Sequence, residues 1–443
     1  MKNKSYFFAS FCLAFVLCTG DASAGGYAIL EQSAEGVGNA FAGATAGYGD
    51  GSEVSFNPAA MAWLDGTLIS HNSHLIVPSS KFHNTGSTHV ATGAPLAGDN
   101  GPDGGEAAYV PNFYVVHQMS DKINVGLGVN APFGLSTNYS DDWVGRYHGI
   151  KTDLTTININ PALSLKLHER FAVGGGLNVI YSDAELSNAI DFGTIGVATL
   201  GLPTASALGL LPQMADGKGR LEGDDWALGY NLGAGYAYGE GSKVGLSWHS
   251  KVDISHSGRA YFDVPTAAMP LTSTGLFTDT TGTADITLPD YANLGWVHRI
   301  NKEWAVLGEI QWTHWSRFEE LRIVFGSNQP DSVVDESWRN TWRYSAGLNF
   351  NPCEALTLRG GFTYDQTPID SSHRTPRIPG NSRKWLALGA DYQITDALSA
   401  GLNYAHLFVS DAKSNILSST GHNLVGDWDL TVDIVSLNLA WAF

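Results

Sequence analysis

Cysteine is nearly missing from this chain of 443 residues: there are three, and Cys12 and Cys18 fall in its leading segment. Residues 1–24 have the form of a secretory signal. Lys2 and Lys4 precede an apolar stretch over residues 6–17, and Ala22-Ser23-Ala24 offers the small-residue cleavage site. Leu17 is too bulky for the small residue that a lipoprotein signal places before its cysteine. The mature chain, expected to start at Gly25, keeps only Cys353, which excludes an intramolecular disulfide. Positive charge is scarce too. Lys and Arg number 25 against 43 Asp and Glu, a net charge of −18 that argues against nucleic-acid binding. Past the signal no apolar run reaches the roughly 18 residues of a membrane-spanning helix. Yet 43% of the residues are apolar, 11% aromatic, and 51 are glycine. That composition needs a use other than helical spans.

Alternation supplies it. Val435, Leu437, Leu439, Trp441 and Phe443 share one face at the C-terminus, against Ser436, Asn438, Ala440 and Ala442. Ile157, Ile159, Pro161, Leu163, Leu165 and Leu167 repeat the pattern against Asn158, Asn160, Ala162, Ser164 and Lys166. So do Ile123, Val125, Leu127 and Val129. A period of two marks strands with one apolar face, directed either into a soluble core or out into lipid. The connections separate the two readings. Short turns are expected at 120–122, 168–170, 239–241, 301–303, 351–353 and 395–396. Longer polar stretches lie at 79–110, 136–153, 193–222, 265–280, 326–335, 370–381 and 412–422. Short and long connections alternate and join fourteen strands, the pattern of an all-β transmembrane barrel of the outer membrane. Trp226, Tyr238, Trp304, Trp312 and Trp385 are candidates for aromatic girdles at the membrane interfaces.

Fourteen strands enclose a lumen too wide for wall side chains to fill. The sizeable piece outside the strands is residues 25–63, which contain no Lys or Arg. Gly36, Ala40 and Ala44 are spaced for a short close-packing helix, flanked by Val37 and Phe41. Asn57-Pro58-Ala59 marks a turn, since Pro58 fixes its own φ and biases Asn57 toward extended shapes. The expected division is therefore a plug over 25–63 and a barrel over 64–443.

The chain resembles the FadL-type outer-membrane transporters of long-chain fatty acids and other hydrophobic compounds. The resemblance rests on Gly25-Gly-Tyr-Ala-Ile-Leu-Glu-Gln-Ser33, Asn57-Pro58-Ala59, Trp143-Val-Gly-Arg-Tyr-His148 and Leu288-Pro289-Asp290. It continues in Trp315-Ser-Arg-Phe318 and Arg377-Ile-Pro-Gly-Asn-Ser-Arg-Lys-Trp385. It implies a fourteen-stranded barrel with an N-terminal hatch, here Gly25, Tyr27, Ile29, Leu30, Asn57, Pro58 and Ala59. It also implies a lateral opening at a kinked third strand, matched by Asn130, Pro132, Phe133 and Gly134. Capture would occur at an outer groove, for which the apolar residues Ile195, Val197, Leu200, Leu202, Leu208, Leu210 and Leu211 are candidates. Arg339 falls near the family's basic head-group position, whereas Asp183 occupies a second such position. A carboxylate would then be recognised less well, and a neutral hydrocarbon becomes an alternative cargo; Arg146 is a possible substitute cation.

A rival class is an outer-membrane barrel lipase or deacylase using Ser and His on the outer wall. The 14 histidines include His71-Asn-Ser-His74 and His249-Ser250, but no nucleophile motif surrounds them. A nonspecific porin is the third reading. No metal-ligand spacing or phosphate loop appears, so no cofactor or metal is expected. The expected setting is the outer membrane of a Gram-negative bacterium, as a monomer among lipids with hydrophobic small molecules as cargo.

Overall fold

The computed structural model describes residues 25–443, so the signal segment lies outside the described residues. Fourteen antiparallel strands close into a barrel. The first half runs β1 (Thr67–Asn84), β2 (Ala108–Ser120), β3 (Ile123–Asn130, resuming at Gly134–Asn138), β4 (Lys151–His168), β5 (Phe171–Asp191), β6 (Asp216–Gly239) and β7 (Ser242–His249 and Val252–Asp263). The second half runs β8 (Thr280–Leu288 and Tyr291–Arg299), β9 (Trp304–Thr313), β10 (Thr341–Cys353), β11 (Leu356–Asp365), β12 (Arg383–Gln393), β13 (Leu398–Val409) and β14 (His422–Ala442). Pairing of β14 with β1, from Leu68 opposite Ala442 to Asn84 opposite Gly426, removes both sheet edges. A hairpin of Glu320–Phe325 and Ser332–Asp335 extends the wall outward between β9 and β10.

The direction of the alternation is now fixed. On β4, Ile159 and Leu163 are 39% and 43% exposed, whereas Asn160 and Ser164 are fully buried. The apolar face looks out and the polar face looks in, the reverse of a soluble sandwich. β6 has 24 residues and β5 has 21, about twice the 9–11 needed to cross a bilayer. The barrel therefore stands well above the membrane on its long-connection side. Trp226 and Tyr238 are exposed on the outside, as girdle residues should be. Trp385 is not: it is fully buried in the lumen, its ring 5.9 Å from that of Phe41. The turn expected at 351–353 lies at 354–355 instead, because β10 continues through Pro352 to Cys353 with a bulge.

Residues 25–63 fill the lumen, touching strands on all sides of the barrel. Their helix is shorter than the spacing of Gly36, Ala40 and Ala44 suggested. It spans Ala34–Gly38, capped by the Ser33 hydroxyl, and stops where Ala40 and Phe41 take positive φ. The 3-10 turn Pro58–Trp63 opens on Asn57, whose Oδ1 accepts from Ala59 N at 3.1 Å. Asn57 Nδ2 donates to Thr45 O at 2.7 Å and to Ala234 O of β6 at 3.1 Å, so one residue ties two plug segments to the wall. The wall begins at Thr67, three residues later than expected.

Wall glycines let this plug lie flat against the sheet. A Cβ at Gly361 would stand 2.1 Å from the carbonyl carbon of Asn39, and one at Gly174 would stand 2.5 Å from Ala59 N. Buried charge fixes the orientation. The Arg359 guanidinium of β11 bridges Glu35 of the plug and Asp391 of β12. Thr45 donates through its hydroxyl to the Glu309 carboxylate of β9.

Two outcomes follow. Replacing Leu388, 66% exposed on the outer face of β12, by Arg should cost about 2–4 kcal/mol if it sits near the bilayer midplane. Unfolding titrations in lipid vesicles measure it. Arg359→Ala leaves Glu35 and Asp391 buried without their cation and should weaken plug docking by about 3–5 kcal/mol. The readout is raised conductance in planar bilayers with an unchanged far-ultraviolet spectrum.

Candidate functional site

β3 is broken, and the break follows from its sequence. Pro132 has no N–H to give to a ladder, and the pairing of β2 with β3 ends at Phe113 opposite Val129. Beyond the break Gly134–Asn138 resumes pairing with β4, starting at Gly134 opposite Thr155. Toward β2 it meets only a single bridge, Gly105 to Thr137, leaving the β2–β3 seam unladdered between. The freed backbone groups are taken up from two sides. Thr156 of β4 serves Phe133: its hydroxyl accepts from Phe133 N at 3.1 Å and donates to Phe133 O. The N-terminal segment serves the rest, with Ile29 N donating to Pro132 O and Gly134 N donating to Tyr27 O, both at 2.9 Å. Ala28 and Phe133 thus face each other as an antiparallel pair. Asn130 at the edge of the break turns inward and donates to Gln32 Oε1 at 3.3 Å.

Tyr27 is held by aromatic rings. Its centroid lies 4.9 Å from Trp315, 5.6 Å from Phe318 and Trp338, and 5.9 Å from Phe133. Its hydroxyl donates to Thr287 O at 3.2 Å. Beside it opens a narrow cavity of about 60 Å³. Tyr27, Leu154, Ala184, Leu221, Ile286 and Phe318 give it apolar walls. Three charged residues line it: Asp153 on β4, and Glu336 and Arg377 from connections. Arg377 Nη1 donates to Lys151 O at 3.1 Å and to Thr152 Oγ1 at 2.9 Å. Nη2 reaches Ser187 O at 3.3 Å and Asn188 Oδ1 at 3.4 Å, while Nε is buried without a partner. Burial lowers this guanidinium to about 10, still cationic at neutral pH. Burial also pushes the Glu336 carboxyl up to about 8, opposed by a hydrogen bond from Trp338 Nε1 at 2.9 Å. Near pH 7 the pair therefore carries net positive charge.

A second buried cationic array surrounds Gly25. Arg343, Asp365 and Arg383 stand in cross-strand register on β10, β11 and β12, and Gly25 N donates to Asp365 Oδ2 at 3.2 Å. Arg343 gives its guanidinium to Gln311 Oε1, whereas Arg383 keeps Nε and Nη1 unpartnered.

The residues named from sequence divide accordingly. Tyr27 and Ile29 meet Pro132, Phe133 and Gly134 at the break, Gly25 lies against Asp365, Leu30 packs on the cluster of Ile29, Val37 and Phe41, and Asn57, Pro58 and Ala59 sit deeper in the plug. Arg146 is engaged in an outer connection, pairing with Asp216 at 2.8 Å and donating to Ala97 O at 2.6 Å. Arg339 is exposed and does not line the cavity, and Asp183 is exposed on the outer face of β5. Its neighbours Ser182 and Ala184 point inward, so a period of two places Asp183 on the wrong side. The cations at the cavity and the N-terminus, Arg377 and Arg383, stand within the quoted motif 377–385. Arg377 escaped notice because an arginine in a polar connection looks solvated, and Arg383 because nothing local marks the inward face at the start of β12. The apolar connection 192–215 folds as two helices, Phe192–Leu200 and Leu202–Ala207. Leu210 is fully buried against Phe192 and Leu271, Leu200 is partly buried, and Leu202 and Leu208 are 59% and 41% exposed. On the outer wall His71 Nε2 and Ser73 Oγ lie 2.9 Å apart, with no carboxylate bonded to the histidine among the described residues.

Comparison with known proteins places this architecture. The family described as outer membrane protein transport protein (OMPP1/FadL/TodX) matches residues 15–443. The 47 kDa outer membrane protein of Pasteurella multocida is 32% identical over 89% of this chain and 90% of its own. A long-chain fatty acid transport protein of Escherichia coli is 27% identical, over 92% of each chain. A Pseudomonas aeruginosa FadL homologue superposes with a TM-score of 0.86 at 23% identity, covering 95% of this chain and all of that one. The Pseudomonas putida toluene transporter TodX gives 0.66 at 15% identity, over 89% and 95%. This chain belongs to the OMPP1/FadL/TodX family of outer-membrane transport proteins.

Proposed function

We propose that this protein takes up long-chain fatty acids across the outer membrane. The carrying observation is an apolar lumenal cavity that ends at a buried cation and abuts the segment filling the wall break. Each CH₂ moved from water into such a cavity contributes about 0.8 kcal/mol, so a long acyl chain supplies its own driving force. The carboxylate accepts from Arg377, whose Nε has no other partner, while protonated Glu336 offers a donor instead of a repelling charge. The exposed Leu202 and Leu208 give a first apolar contact outside. Occupancy of the cavity displaces Tyr27, Ala28 and Ile29 from the break, and the cargo leaves sideways past Asn130, Pro132, Phe133 and Gly134 into the bilayer. A neutral hydrocarbon would use the same walls without the cation, and the test is built to separate the two.

Binding of a long-chain fatty acid and of toluene is measured on the purified protein across the pH range around 8. Fatty-acid affinity should fall as pH rises through about 8, where Glu336 loses its proton beside the carboxylate, and Glu336→Gln should abolish that fall. Arg377→Ala should weaken the fatty acid on the order of ten- to a hundred-fold and leave toluene unchanged. Equal effects on both ligands, or on neither, would move the assignment to neutral hydrocarbons.

A further inference from the structure

Three connections that are far apart in sequence meet at the outer end of the barrel. His89 lies between β1 and β2, Asp191 ends β5, and His422 opens β14. Their ligand-capable atoms all lie within 4.8 Å of one another, and the three residues are at most 1% exposed. We propose that His89, Asp191 and His422 bind a divalent transition metal, with zinc as the reference ion, and that this ion staples the outer connections together.

The donor chemistry suits such an ion. Two imidazoles and one carboxylate are the ligand types zinc takes, and a calcium or magnesium site would instead be built from oxygens. Spacing agrees. Asp191 Oδ2 lies 3.0 Å from His422 Nε2 and 2.6 Å from Thr194 Oγ1, which in turn lies 3.0 Å from His89 Nε2. Around a tetrahedral zinc with bonds of about 2.0–2.1 Å, neighbouring ligand atoms stand about 3.3 Å apart. Small side-chain shifts therefore suffice to close the set, with Thr194 or a water in the fourth position.

The surroundings orient two of the three ligands, His422 and Asp191, as metal sites require. His422 Nδ1 lies 2.9 Å from Thr420 Oγ1, which leaves Nε2 to face the cluster, and its ring stacks on Tyr147 at 3.7 Å. Asp191 Oδ1 accepts from Thr194 N at 2.9 Å, capping the helix Phe192–Leu200, while Oδ2 faces the cluster and also accepts from Gln213 N at 3.0 Å. His89 meets the cluster through Nε2, while its Nδ1 is buried without a hydrogen-bond partner and so lacks the outer bond that His422 has. No sequence motif could have shown this set, since Asp191 and His422 are 231 residues apart. An ion here would fix the apolar helical connection to the connections that flank β1 and β14.

The mature protein in detergent is titrated with Zn²⁺ by calorimetry and with Co²⁺ by visible absorption. The expected result is one saturable ion per chain with the d–d bands of tetrahedral Co²⁺. His422→Ala should weaken binding by about a hundred-fold or more. Because that change also removes the stack on Tyr147, Asp191→Asn and His89→Gln serve as shape-preserving variants, with the same loss expected. Absence of saturable binding in the unaltered protein, or undiminished binding in both shape-preserving variants, would overturn the proposal.

Discussion

Every N–H and C=O of a wall that faces lipid has to be paired inside the protein, because hydrocarbon offers no partner. Prolines interrupt the ladder at several points in this barrel, and the repairs at Pro161 and Pro132 differ. At Pro161 the pairing of β4 with β5 lapses, and Asn160 Nδ2 donates to Leu177 O at 2.8 Å, so the wall mends itself with its own side chain. At Pro132 the mend comes from elsewhere, since Pro132 O and Gly134 N are satisfied by Ile29 and Tyr27 of the plug. The integrity of the wall at that point therefore depends on where the N-terminal segment lies. Withdrawing it leaves buried polar groups unpaired, which keeps the segment in place until something compensates.

That coupling explains the two unequal halves of the plug. Its deep part is secured by many polar ties: Asn57 to Ala234, Asn124 Nδ2 to Met61 O at 2.8 Å, and the Arg359 bridge between Glu35 and Asp391. Its first residues are held by two backbone bonds, aromatic packing around Tyr27 and the contact of Gly25 with Asp365. The cavity lies against this less heavily tied end, with Tyr27 in its lining, and away from the anchored set of contacts.

Periodicity and punctuation made the barrel legible from sequence. Residues 157–167 alternate cleanly because one face meets lipid and the other meets water or plug, and the short turns follow at regular intervals. The plug was legible as leftover chain, and the break as a proline in an otherwise strand-like run. What failed were readings that depend on which side of a wall a side chain occupies. Asp183 and Arg339 were placed by the family resemblance and Trp385 by its position near a strand end, yet a shift of one residue reverses a strand face and a connection can fold in either direction. The helix over Gly36 to Ala44 failed because Ala40 and Phe41 are bent by packing against β11 and β12, a tertiary cause. Arg377 and the histidines at 89 and 422 gain their neighbours only when distant connections converge.

The central claim is that the N-terminal segment must leave the β3 break for cargo to pass. Ala28 and Phe133 form a pair flanked by, not joined by, the bonds between Tyr27 and Gly134 and between Ile29 and Pro132. Such pairs place their Cα atoms about 4.5 Å apart, within disulfide reach. With Cys353 changed to Ser, Ala28→Cys and Phe133→Cys together lock the segment to the wall when oxidised. Uptake of a labelled long-chain fatty acid by cells carrying this variant measures the effect directly. Loss of uptake in the oxidised state and its return on reduction is the predicted result; uptake at the same rate in both states would contradict the account.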